Sequence, residues 1–405
     1  MSIDGSFSGK LSRRWIEPAA LSLLAGIALG SSFGLGGDAA ILTKAATVPS
    51  APQAPQPKRE ISGAMAQAWG LLGTDSPEAW KLTRGSHDVL VAVIDTGCDV
   101  RHPDLVDNMW KNLGEIGLDE TGRDKAANGI DDDRNGYVDD VNGWNFAADS
   151  NDLEDHHGHG THIAGIIGAS GASKLSGVAP NVSLMILKYY DPDLTRQNPL
   201  GATVKSIYYA VKMGAKIINY SGGGIHPSQI EFEAYRYAAR HGVLVIAAAG
   251  NEKSDSDRHA YFPADYDLSN ILSVTAIDPR GRVLATSNWG ERTVDIAAPG
   301  EDILSTLPGD SYGEMTGTSQ ATAFATGVAV LLKANRSDLA TPEELIEHLM
   351  ATGETSGQLQ GKARSRAVLN SYRALAIYGE DVNAAGVVAE NEEEIDPSSY
   401  TLPTR

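Results

Sequence analysis

Residues 89–95 read Val89-Leu90-Val91-Ala92-Val93-Ile94-Asp95, six apolar side chains closed by a carboxylate. A strand with one wet face alternates apolar and polar residues. An unbroken apolar run of this length suits a strand covered on both faces. Similar runs stand at 182–187, 216–220, 243–249 and 271–277. Between them lie stretches of helical character at 161–169, 203–213 and 229–240. Strand and helix in alternation predict an α/β fold, a doubly wound and mostly parallel sheet with helices on both faces. Such sheets carry their sites outside the carboxyl ends of the strands. Asp95 stands at such an end.

Composition sets the outer bounds. With 405 residues, 42% of them hydrophobic, the chain can bury a substantial core in one large domain or two ordinary ones. Its 43 glycines foretell tight turns and close backbone approaches. A net charge of −19 disfavours nucleic acid and anionic membranes as partners, since both need a basic footprint. Cys98 is the sole cysteine, so an intrachain disulfide is excluded and stability falls to packing or bound ions.

The ends differ from the middle. Lys10, Arg13 and Arg14 precede an uncharged run over 18–37, the order of an export signal. Residues 1–46 are therefore expected to direct export, as a cleaved signal or, given the length of the run, as a membrane anchor. Arg13-Arg14 faintly resembles a twin-arginine signal, which Glu17 fits poorly. Residues 47–60 form a proline-rich linker, residues 61–379 the folded domain, and the acidic stretch 380–405 a solvated tail. The expected location is secreted or periplasmic, with membrane contact only through the N-terminal segment, and the expected state is a monomer.

Three residues carry the chemistry. Asp95 alone could be an ordinary turn aspartate. His159 lies in His157-Gly158-His159-Gly160-Thr161-His162, ahead of a helix whose small residues suit close packing. Ser319 precedes a stretch containing Ala321, Ala323, Ala325 and Gly327, which reads as a buried helix. A serine there could merely cap the helix. It could also be a nucleophile at the positive helix end, where an oxyanion is favoured. A serine hydroxyl needs a base to be activated, and that base needs a carboxylate to fix its tautomer. Asp95, His159 and Ser319 supply all three. The crowding of Asp155, His156, His157 and His162 raises zinc as a rival, but the spacing matches no metal motif and no His-Glu-x-x-His is present. His162 reads as a packed structural histidine, and His156 and His157 as loop residues.

Taken together these motifs resemble the subtilase family of serine peptidases. The matching stretches are Val93-Ile94-Asp95-Thr96-Gly97-Cys98-Asp99 with His102-Pro103-Asp104-Leu105, then His159-Gly160-Thr161-His162-Ile163-Ala164-Gly165, then Gly317-Thr318-Ser319. The likeness runs from about residue 67 to about residue 375. It implies a subtilisin-like serine endopeptidase acting on protein or peptide substrates, with Asp95, His159 and Ser319 as its triad. It makes Asn251, in Ala249-Gly250-Asn251, the oxyanion-hole residue, and Ser221-Gly222-Gly223 the substrate-binding strand. Tyr261 would stand at the floor of the S1 pocket, where broad-specificity relatives have glycine, so small or medium apolar P1 residues are expected. Three positions depart from the family pattern. Gln320 replaces the usual methionine, Ala323 the usual proline, and Gly222 a common leucine. The last should widen or soften the substrate wall. The segment before Ile61 is too short for the folded prodomain of many secreted relatives. Two rival classes remain: a catalytically dead relative used for binding, which the complete triad disfavours, and an esterase on an α/β-hydrolase fold, which needs the Gly-x-Ser-x-Gly that is absent here.

One motif stands apart from the triad. Residues 131–140 read Asp-Asp-Asp-Arg-Asn-Gly-Tyr-Val-Asp-Asp. Asp131, Asp133 and Asn135 alternate ahead of Gly136, like the opening of a calcium loop, and Asp139 and Asp140 follow. A glutamate at the twelfth position is missing, because Asn142 stands there. A full EF-hand is therefore not expected. A structural calcium ion is, since crowded carboxylates repel one another unless a cation offsets them.

Overall fold

The computed structural model describes residues 69–378. The segments expected to be signal, linker and tail lie outside the described residues. Within them, no helix is long and apolar enough to cross a membrane.

The strand runs seen in the sequence form β1 (Gly85–Asp95), β3 (Asn181–Lys188), β4 (Ile217–Tyr220), β5 (Leu244–Ala248) and β6 (Ile271–Ile277). Two further short strands, β2 (Gly143–Asn145) and β7 (Ile296–Pro299), extend the sheet. A hairpin of β8 (Ile303–Leu307) and β9 (Ser311–Met315) stands apart from it, while β10 (Glu354–Thr355) and β11 (Ala367–Val368) close one edge. The order across the sheet is β10-β11-β7-β6-β5-β4-β1-β3-β2. Every neighbouring pair is parallel except β10 with β11. The chain runs outward from β1 through β3 on one side and through β4 to β7 on the other. The strand order therefore reverses beside β1, where such sheets open a crevice.

Among the described residues a short helical turn at Ser76–Ala79 precedes β1, and six α-helices follow it: α1 (His159–Gly168), α2 (Pro199–Lys212), α3 (Gln229–Arg240), α4 (Thr318–Asn335), α5 (Pro342–Thr352) and α6 (Ser371–Ala376). They cover both faces, as β1 makes plain. Val89, Val91 and Val93 join one core with Ile163, Ile167, Phe324 and Val328 of α1 and α4. Leu90, Ala92 and Ile94 point the other way, into a second core with Ile207, Tyr209 and Tyr235 of α2 and α3. Successive strand residues face opposite sides, so an unbroken apolar run is the pattern that two covering layers require. Helix α4 passes through the first core with every residue from Thr318 to Leu332 buried. That explains its lack of an amphipathic stripe.

Candidate active site

The polar residues singled out by the sequence gather at the carboxyl edge of the sheet. Asp95 ends β1, Ser221 follows β4 directly, and Asn251 lies three residues beyond β5. His159 opens α1, and Ser319 is the second residue of α4.

His159 Nδ1 lies 2.7 Å from Asp95 Oδ1, and both side chains are buried. The same carboxylate oxygen accepts the Thr96 N–H at 2.8 Å. A carboxylate accepts, so the imidazole proton sits on Nδ1 and Nε2 is left with its lone pair. Burial alone would hold His159 neutral. The charge of Asp95, its hydrogen bond and the charge of Asp155 outweigh that, and lift the pKa above its ordinary value.

The fit of α1 against β1 explains the glycine after the histidine. A Cβ on Gly160 would stand 2.1 Å from the Gly97 carbonyl oxygen and 3.1 Å from Asp95 Cβ. Asp155 fixes the start of the same helix. Its Oδ1 accepts from the His157 and Gly158 N–H groups and the Thr96 hydroxyl, and its Oδ2 from the Thr161 N–H and hydroxyl. Thr96 Oγ1 accepts in turn from the Gly160 N–H at 2.9 Å. Burial pushes the Asp155 carboxyl up, but these donors hold it below its ordinary range, so it stays ionised. Sequence reasoning placed Asp155 only in a zinc rival. Its role is to join β1 to the histidine helix.

Ser319 is nearly buried, with 7% of its surface exposed. Its hydroxyl donates to the Ser221 carbonyl at 3.3 Å, and it makes no hydrogen bond with His159 in this rotamer. Asn251 Oδ1 accepts from the Thr318 N–H at 3.1 Å and the Thr318 hydroxyl at 3.3 Å. The carboxamide is thereby oriented by the start of α4, with Nδ2 left as an unused donor. Gln320 and Ala323, the two departures on α4, are both buried.

The substrate wall differs from expectation. A Cβ on Gly222 would meet the hydroxyl of Tyr189 at 2.5 Å and that of Tyr220 at 2.9 Å. Glycine at this position therefore does not widen the wall, because two tyrosines already hold the volume. The Tyr261 ring lies against Gly223 and Gly250, where built Cβ atoms would come within 2.5 Å and 2.9 Å of it. Gly224 pairs with Phe262 in both directions, at 2.9 and 2.8 Å, and so seats the adjoining Tyr261.

The acidic loop gains a partner from outside its own run. Glu115, fully buried, accepts the Asp132 and Asp133 N–H groups through Oε1 at 2.7 and 3.1 Å. Its Oε2 is buried without a partner. Carboxylate oxygens of Glu115, Asp131 and Asp133 lie within 4.8 Å of one another. Asp140 sits beside Asp133, sharing the amide donors of Asn112 and Asn135 with it, and also accepts from the Tyr209 hydroxyl. Asp139 accepts from the Gly129 N–H, and the Asn135 carbonyl side chain accepts the Tyr137 N–H. The sequence reading missed Glu115, because 16 positions separate it from Asp131. Burial, then the charges of Asp140 and Asp133, raise the pKa of the Glu115 carboxyl.

His162 is packed, as expected. Its Nε2 is shared between the carbonyls of Ile303 at 2.9 Å and Gly313 at 3.2 Å. Burial, and then the charge of His159, lower its pKa to about 3.

The family model described as the subtilase family matches residues 86–372. The thermophilic serine proteinase of Bacillus sp. (strain AK1) is 32% identical over 76% of this chain and 66% of its own length. The major intracellular serine protease of Bacillus subtilis (strain 168) is 33% identical over 72% of this chain and 80% of its own. Among solved structures, the prenylagaramide maturation protease PagA superposes with a TM-score of 0.56 at 26% identity, covering 74% of this chain and 96% of that one. With a parallel sheet of this order, a buried Asp95–His159 pair and a serine at the head of a buried helix, the chain belongs to the subtilase family of serine proteases.

Proposed function

We propose that this protein is a serine endopeptidase that cleaves protein or peptide substrates through an acyl-enzyme. The 2.7 Å contact of His159 with Asp95, at the same sheet edge as Ser319 and Asn251, carries the reading. The substrate lies extended along Ser221-Gly222-Gly223 and pairs with its backbone. The Ser319 hydroxyl leaves the Ser221 carbonyl, turns to His159 Nε2 and attacks the scissile carbonyl. The proton it loses goes to Nε2, and Asp95 stabilises the resulting imidazolium. Negative charge on the carbonyl oxygen is met by Asn251 Nδ2 and the Ser319 N–H, both donors near the start of α4. The imidazolium then protonates the departing amine, and a water activated by His159 releases the acyl group. Tyr261, wedged between Gly223 and Gly250, leaves the S1 pocket suited to small or medium apolar side chains.

The acidic loop is the place for a structural calcium ion, and the donor set fits one. Asp131, Asp133 and the orphaned Glu115 Oε2 offer oxygen ligands of the kind calcium takes. A bound cation would offset their repulsion and tie the loop to the buried glutamate. The enzyme acts outside the cytoplasm as a monomer, in keeping with the basic and then apolar N-terminal segment.

Fluorophosphonate labelling of the wild type and of Ser319→Ala tests the assignment. The wild type should be labelled and hydrolyse protein, and the mutant should do neither. An unlabelled, folded wild type would point to a binding module on this fold. Near-normal hydrolysis by folded Ser319→Ala would remove Ser319 as nucleophile.

A further inference from the structure

His156 meets a group that the local sequence gives no hint of. It lies in the segment leading into α1, while Asp191 and Asp193 lie in the turn after β3, some 35 residues on. His156 Nδ1 is 3.3 Å from Asp191 Oδ1 and 3.3 Å from Asp193 Oδ2. Both separations are long for a charged hydrogen bond. They match the edge of a tetrahedron of ligands around zinc, which for bonds of roughly 2.0 Å is about 3.3 Å.

The surroundings hold this group in place. Asp191 is buried. Its Oδ2 pairs with Lys188 Nζ at 2.8 Å, and Lys188 is itself fully buried. Asp191 Oδ1 also accepts the Asp193 N–H at 3.0 Å, which sets the turn. On the far side of the imidazole, Glu154 Oε2 stands 3.7 Å from His156 Nε2. A carboxylate behind a ligating histidine is the usual outer partner that orients the ring and raises its basicity. The carboxylates of Glu154, Asp191 and Asp193 against the one ammonium of Lys188 leave two negative charges when His156 is neutral. A dication balances them, whereas a proton on His156 balances only one.

We propose that His156, Asp191 and Asp193 form a binding site for a divalent transition metal of the zinc class. One imidazole nitrogen and two carboxylate oxygens supply three ligands, and Asp193 and His156 are exposed enough for water to complete the shell. The nitrogen donor separates this site from the all-oxygen acidic loop, and favours zinc or cobalt over calcium. The ion would clasp the turn after β3 to the segment that carries Asp155 and runs into His159. It would therefore brace the start of the histidine helix from outside.

The test uses the full chain as Ser319→Ala, stripped of metal and then saturated with calcium, so that self-digestion and the acidic loop play no part. Zinc uptake is measured by titration calorimetry and by metal analysis after dialysis, with cobalt as an absorbing substitute. The parent should take up one zinc and gain thermal stability from it. His156→Ala should lose this uptake. Asp193→Asn, at an exposed position that leaves folding alone, should weaken it by more than about tenfold. Uptake should also fall as the pH is lowered, because a proton competes for Nδ1. Absence of zinc uptake by the parent would overturn the proposal, as would uptake kept in full by both variants.

Discussion

Tyr261 lays its ring against Gly223 so closely that a Cβ built on the glycine would sit 2.5 Å from the ring carbon Cε1. Residue 223 cannot carry a side chain while the phenol is there. The ring occupies space between two backbone segments, Gly223 and Gly250, and under the proposed function that is space a bulky P1 side chain would need. Tyr261→Gly should therefore raise kcat/KM for Phe or Tyr at P1, relative to Ala, by roughly ten- to two-hundredfold, the range expected when a pocket gains room for apolar atoms. An unchanged P1 profile in a peptide library would mean that Tyr261 does not bound the pocket.

Under the proposed function the Asp95–His159 pair should set how activity depends on pH. In the proposed mechanism His159 acts as a base only when neutral, and its pKa is raised above its ordinary value of 6.5. Activity should be present above that raised pKa and lost as the pH falls through it, so the acid limb of kcat/KM should have its midpoint above 6.5. Asp95→Asn should shift this midpoint down and lower kcat by about 10⁴-fold, because the orienting charge is gone. A midpoint unmoved by Asp95→Asn would show that Asp95 does not set the basicity of His159.

Asn251 presents Nδ2 because Thr318 engages its oxygen. Asn251→Ala should lower kcat by about two to three orders of magnitude and leave KM nearly unchanged, as loss of a donor used only in the transition state requires. A large rise in KM with kcat intact would make Asn251 a ground-state substrate contact.

Calcium should stabilise the fold through the acidic loop. At a hundredfold excess over Kd, one site adds about 2.7 kcal/mol. EDTA should lower the melting temperature of Ser319→Ala, and calcium should restore it better than magnesium. Glu115→Gln should blunt the response, since it removes the charge on the buried Oε2. Superimposable melting curves with calcium and with EDTA would exclude the ion.

Glu231, in the first turn of α3, is buried, with Tyr266 donating to it at 2.9 Å. Burial, which that hydrogen bond only partly offsets, lifts its pKa from 4.5 to about 7. The folded state thus binds a proton that the unfolded state has released between these values, and stability falls as the pH rises across the window. Ionisation should cost up to about 3 kcal/mol, less whatever the helix N-terminus returns to the charge. Glu231→Gln should flatten this part of the stability curve and melt higher than wild type above pH 7. Parallel denaturation curves for the two proteins at pH 5 and 8, about the limits of the window, would show that Glu231 does not titrate with folding.

Much of the fold was legible locally. The run over 89–95 is apolar at every strand position before Asp95, and only a strand between two layers needs that. β1 occupies this run, and β3, β4, β5 and β6 occupy the other four. Asp95 at a strand end and His159 and Ser319 at helix starts could be singled out locally, and Asn251 through the family resemblance, and all four lie at the same edge of the sheet. Residues that meet only once the chain has folded were not legible. Glu115 beneath Asp131 and Asp133, the tyrosine hydroxyls that fill the space at Gly222, Asp155 bridging Thr96 to α1, and His156 facing Asp191 share no sequence period. Tyr189, Tyr220 and Asp191 reach their places by strand order, since β3 lies beside β1 on one side and β4 on the other, whereas Glu115 meets Asp131 and Asp133 within the one connection between β1 and β2. That order is set by the combined burial of both faces of the sheet, a property of the whole chain that no short stretch of it carries.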